Sequence, residues 1–99
     1  MRIFMSVQIP TQPGNEAIKS GSLPKVMGKF IETYRPEAAY FITSAGDRCA
    51  HIYFDLKDVT QMPAVAEPFF IELGAKVTYC PAMNADDVNK GIGAYMATR

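Results

Sequence analysis

Residues Arg2 to Ile9 alternate. Ile3, Met5, Val7 and Ile9 fall on one side and Phe4, Ser6 and Gln8 on the other, a period of two that predicts a half-buried strand. Pro10, Pro13 and Gly14 end it, and Asn15 is placed to cap a short helical piece through Ile18. Ser20-Gly21-Ser22 interrupts. From Ser22, with Pro24 in the first turn, a second helix follows whose Val26, Met27, Phe30, Ile31 and Tyr34 form one apolar stripe. Pro36 stops it. Ala38 to Ser44 and Arg48 to Leu56 read as strands, and the short Ala45-Gly46-Asp47 link makes them a hairpin. A further helix opens at Thr60, carries Pro63 in its first turn and closes at Gly74. Lys76 to Cys80 is the fourth strand. Asn84, with Asp87 three residues on, caps a last helix whose apolar side is Val88, Ile92, Tyr95 and Met96.

One stretch resists this reading. In QMPAVAEPFF, Gln61 to Phe70, Met62, Val65, Ala66, Phe69 and Phe70 keep helical spacing, yet Pro68 stands in the middle. Proline removes its N–H and crowds the carbonyl four residues back, so a kink or a split is expected near Ala64.

The order β-α-β-β-α-β with an added C-terminal helix predicts an α+β, ferredoxin-like domain spanning residues 1–99, with one four-stranded antiparallel sheet in the order 4-1-3-2 and two helices on one face. Ile3, Met5 and Val7, with Ala50, Ile52 and Phe54, would meet the helices. Phe4, Ser6, Gln8, Cys49, His51, Tyr53, Thr78 and Cys80 would line the other face, while strand two is bulky on both sides at Tyr40, Phe41 and Ile42. A half-aromatic, half-polar face on so short a chain predicts a mate, most simply a second copy with the two sheets facing around a small cavity. The last helix, weakened by Gly91 and Gly93, needs something to dock on.

Charge narrows the partners. Ten basic and ten acidic residues cancel, so there is no electrostatic footprint for nucleic acid or anionic lipid. No apolar run is long enough to span a membrane, and MRIFMSVQI lacks the long apolar region and cleavage site of a secretory signal, which makes cytoplasmic the expected location. Two cysteines, Cys49 and Cys80, are too few for a disulfide scaffold and match no zinc spacing. With one strand between theirs, they would sit roughly 10 Å apart, too far to pair.

PEAAYF (Pro36 to Phe41), the GDR turn (Gly46 to Arg48), QMPAVAEPFF and PAMNADDVNKG (Pro81 to Gly91) together resemble a family of short bacterial proteins of unknown function within the dimeric α/β-barrel superfamily. The resemblance runs from about Asn15 to Gly91, and AEPFF is its most distinctive piece. It implies a ferredoxin-like subunit and a homodimeric barrel. It implies no activity. The superfamily includes cofactor-free monooxygenases, muconolactone isomerases, haem-dependent enzymes and non-catalytic stress proteins, so the fold alone does not supply a function.

The candidate chemistry is sparse. His51, the only histidine, could act as a general base or hold a ligand, with Tyr53 beside it and Tyr40 and Tyr79 able to orient a phenolic compound. Arg48 could pair with a carboxylate or an enolate, or with neighbouring acids and solvent. Ser6 and Gln8 would add polar contacts on the same face. Each has a plainer alternative: aromatic strand residues pack, cysteines fill cores, and Asp86-Asp87 suits a helix N-terminus. No metal site is expected, because His51 has no second ligand at ligating distance in sequence, and no cofactor is expected. The expected function is a homodimer binding a small apolar or aromatic molecule. The alternatives are a cofactor-independent, monooxygenase- or isomerase-like enzyme on a small aromatic or lactone-like compound, and a structural dimer with no ligand.

Overall fold

The computed structural model describes all 99 residues. Its elements are β1 (Arg2–Ile9), α1 (Thr11–Ser20), α2 (Ser22–Tyr34), β2 (Ala38–Ser44), β3 (Asp47–Asp55), a 3-10 turn at Val59–Gln61, α3 (Met62–Leu73), β4 (Lys76–Pro81) and α4 (Ala85–Ala97). The four strands form one sheet in the order β2-β3-β1-β4, with every neighbouring pair antiparallel. This α+β arrangement is compatible with the ferredoxin-like pattern.

Alternation along β1 appears directly as burial: Ile3, Met5, Val7 and Ile9 are buried and the residues between them half-buried. On the same side, Ala50, Ile52 and Phe54 of β3 meet α2 and α3, where Phe30 sets its ring 5.3 Å from Phe54 and 5.7 Å from Phe69. Met5, Ile52, Phe54, Val65, Phe69 and Leu73 are sealed from solvent. Each such side chain contributes about 1.5–3 kcal/mol of transfer free energy.

Register resolves strand two. Phe41 pairs with Ala50 and Ala39 with Ile52, so these two face the helices, while Tyr40 opposite His51 and Ile42 opposite Cys49 face away. Phe41 is nevertheless 61% exposed. The helical layer ends over β3, and β2 projects beyond it as an uncovered edge. The hairpin closes through Ala45 and Gly46, both at positive φ, as a two-residue turn between right-twisted strands demands.

Two helix starts differ from the sequence expectation. The first helix begins at Thr11, four residues before Asn15. Pro10 precedes it and Pro13 lies in its first turn, where a missing N–H costs nothing, and the Gly14 N–H already donates to the Pro10 carbonyl at 2.9 Å. Residues that read as breakers are the entry to the helix. The helix expected from Thr60 is entered instead through the 3-10 turn, whose cap is Asp58: its carboxylate accepts from the Thr60 N–H at 2.8 Å while Gln61 reaches back to the Asp58 N–H. Pro68 does not split α3, which runs unbroken from Met62 to Leu73 and is capped by Gly74 at φ +58.

The last helix has the predicted capping box. The Asn84 side chain accepts from the Asp87 N–H at 2.8 Å, and the Asp87 carboxylate accepts from the Asn84 N–H at 3.0 Å. Its apolar stripe packs on nothing: α4 has no buried residue. Its side-chain tie to the body is Arg2 Nη1 to Asp87 at 3.2 Å, in its first turn. The radius of gyration, 16.0 Å, exceeds the roughly 13 Å of a compact chain this long, and the molecule extends 56 Å along its major axis. No helix is long and apolar enough to cross a membrane.

Candidate functional site

The helix-free face of the sheet is a lattice whose rows follow from the strand register. One row runs Ala38, Tyr53, Phe4, Cys80. The next runs Tyr40, His51, Ser6, Thr78, and the third Ile42, Cys49, Gln8, Lys76. Five of the seven residues singled out from sequence, Ser6, Gln8, Tyr40, His51 and Tyr53, therefore share one surface, spread over these three adjoining rows.

His51 lies inside this lattice. Its ring stands nearly perpendicular to Phe4 with centroids 5.0 Å apart, and Tyr53 lies tilted against Phe4 with centroids 5.1 Å apart. Phe4 thus contacts both rings, and aromatic pairs of this kind contribute about 0.5–1.5 kcal/mol each. The imidazole nitrogens take no part in the subunit's side-chain hydrogen bonds. Next to them, the Ser6 hydroxyl lies 3.4 Å from the Cys49 thiol. Gln8 is held at the turn end of the face, its amide donating to Asp47 at 3.2 Å and to the Ser44 carbonyl at 3.4 Å, while Thr11 donates to the other Asp47 oxygen at 3.0 Å. Tyr40, 66% exposed, and Ile42 stand at the open edge.

Arg48 does not join them. It pairs with Ile9 and Thr43 on the helix side, and its guanidinium donates to the Asn15 carboxamide at 3.1 Å while lying against Gly14, where a Cβ would come within 2.6 Å of it. It ties α1 to the hairpin, and the neighbouring acids Asp47 and Glu37 are engaged by Gln8 and Arg2. Tyr79 is also on the helix side, where its hydroxyl donates to the Met62 carbonyl at 3.0 Å. Burial, with Tyr34 nearby, pushes its phenol above the ordinary value. The two cysteines differ: Cys49 is buried although it sits on the open face, whereas Cys80 is exposed and does not fill a core position.

Phe4, Ile42 and Lys76 complete the face and were not among the residues assigned roles from sequence. Their signal was the register itself: Lys76 shares parity with Thr78 and Cys80, and puts a cation at the end of the Gln8 row. Nowhere do three or more His, Cys, Asp or Glu side chains come together. Two concavities lie off the face. One of about 420 Å³ runs between α2 and α3, floored by Phe30, Val65 and Phe69 and rimmed by Lys25, Lys29 and Glu72. The other, about 530 Å³, surrounds the Arg2 ion pairs with Glu37 and Asp87.

No model of a known protein family matches the chain, and no curated protein is significantly similar to it.

Proposed function

We propose that the chain acts as a homodimer whose open sheet faces meet around a small apolar or aromatic molecule, contacted by Tyr40, His51, Tyr53, Ser6 and Gln8. The observation that carries this reading is the helix-free face: a continuous lattice of mostly aromatic and neutral polar side chains, with Lys76 at one corner, over which no helix of the subunit packs. A surface of that composition is unusual on a monomer and common where a partner or ligand sits. Aromatic walls provide the stacking area, and Ser6, Gln8 and His51 provide a few directional polar contacts.

A second reading is supported by His51 in particular. Its nitrogens are unengaged within the subunit, and its ring packs edge-on against Phe4, which Tyr53 also contacts. Held so, the imidazole suits a general base toward a small phenolic or lactone-like compound, with Tyr53 and Tyr40 orienting it and no cofactor involved. Arg48, directed to the other side of the sheet, is not part of this reading.

Native mass spectrometry of the protein purified without denaturation tests both. Two chains with a reproducible small adduct are expected, and the adduct's mass would identify the ligand class. Two chains without an adduct, even after incubation with aromatic and lactone probes, would leave a structural dimer whose face is filled by side chains. A monomer at micromolar concentration would refute the reading of the open face.

A further inference from the structure

The sheet has a second vacancy, on its helix side. Phe41 points to the layer of α1, α2 and α3 but lies beyond it, and Thr43 of the same parity is also exposed. At the opposite edge of the sheet, α4 follows β4 and carries Val88, Ile92, Tyr95 and Met96 on an apolar stripe that packs on nothing. One vacancy lacks a helix and one helix lacks a floor.

They cannot satisfy each other within one chain. In the order β2-β3-β1-β4 the two edges lie on opposite sides of the sheet, and α4, about 20 Å long, projects away from the body. A second copy removes the difficulty. A two-fold axis between facing sheets and parallel to their strands sets the β4 edge of each subunit beside the β2 edge of its mate. Each α4 then starts next to the other subunit's uncovered strand, and the symmetry satisfies both arms at once.

Resting on the homodimer proposed above, we infer that α4 is an exchanged arm: it crosses to the second copy and completes that copy's helical layer over Phe41, with Ile92 and Tyr95 as the anchors. The apolar side chains exposed on α4 and on the helix side of β2, Phe41 above all, present roughly 600 Å² per subunit, which added to the facing sheets goes beyond the roughly 800 Å² each partner contributes to a standard stable interface. The helix itself argues the same way. Thirteen residues containing Gly91 and Gly93 do not hold a helix in water unaided, yet a complete capping box starts this one. Such a segment is built to fold against a surface.

Amide hydrogen exchange on the unmodified protein tests the arm. Protection of residues 89–97 should appear, by roughly tenfold or more, at concentrations where the dimer forms, and vanish on dilution to monomer. Mixing Phe41→Cys chains with Ile92→Cys chains, both carrying Cys80→Ser, should give a mixed disulfide between arm and strand under oxidation. A dimer in which residues 89–97 exchange freely and no mixed disulfide forms would overturn the exchanged arm while leaving the facing-sheet dimer standing. A protein that stays monomeric would overturn both.

Discussion

His51 and Ile52 are neighbours in sequence on opposite faces of the sheet, and their removal should cost very different amounts. Ile52 is sealed from solvent and paired with Met5 across to β1 and with Ala39 across to β2. Ile52→Ala removes part of a close-packed core and leaves a cavity, at about 2–5 kcal/mol, and the sealed surroundings favour the upper half of that range. Against a total stability of about 5–15 kcal/mol this is a large loss, and it lowers the melting temperature by roughly 10–30 °C in a chain of this size. His51→Ala gives up one edge contact with Phe4, worth about 0.5–1.5 kcal/mol, and strands no buried polar atom. Urea unfolding followed by circular dichroism, repeated over a tenfold range of protein concentration, separates the two. The expected gap is at least about 2 kcal/mol at the lowest concentration. Equal losses there would refute the assignment of faces. A His51→Ala cost that grows with concentration would instead locate the histidine in the dimer contact. The same variant, once folded, is the one to assay for ligand binding.

Other consequences follow from particular contacts. Hydrogen bonds from Lys57 and the N-terminal ammonium hold the Asp55 carboxyl at about 2, below its ordinary 3.8. Because the folded-state value is the lower one, the contribution is complete above pH 3.8 and is lost as pH falls toward 2, so an acid titration should show a small, salt-sensitive decline there that Asp55→Asn lacks. An NMR titration placing Asp55 in the ordinary carboxylate range would contradict this. Ala45 sits at φ +51 in the hairpin turn, so Ala45→Asn should raise stability by up to about 1 kcal/mol in thermal melts, and a loss would show that the turn conformation is wrong. Pro68→Ala restores an N–H to the unbroken α3 and should stabilise by about 1–3 kcal/mol; a neutral or negative result would mean that the proline ring packs where α3 borders the α2 groove.

Much of this architecture was legible in local patterns, and the exceptions have physical causes. Alternation in β1 and β3 assigned both faces because β1 has one strictly apolar parity and β3 has one from Ala50 onward. It failed for β2, where Tyr40, Phe41 and Ile42 are bulky on both sides and only pairing to β3 decides. The early start of α1 was hidden because Pro10, Pro13 and Gly14 have the same composition whether they end a strand or open a helix. Arg48 was open to a site role because charge suggests chemistry, although its parity with Ala50 and Ile52 already put it on the helix side, where Asn15 and Gly14 receive it. Asp58 was overlooked as a cap because Thr60 offered a nearer one.

What local pattern cannot supply is where an unfilled surface finds its complement. The stripe on α4 states that the helix is amphipathic, and the bulk of Phe41 states that β2 wants cover; neither says that the two belong together. In the proposed dimer that relation depends on strand order, which puts β4 and β2 at opposite edges, and on a two-fold symmetry that would bring opposite edges of two copies side by side. The open lattice around His51 follows the same logic. Its rows are complete within one chain, but a pocket needs a second wall, which in the proposed dimer is the sheet of another copy. In the proposed dimer, dimerisation, the site and the arm depend on one arrangement, so a substitution that weakens the proposed β2–β4 edge contact between copies should weaken all three together.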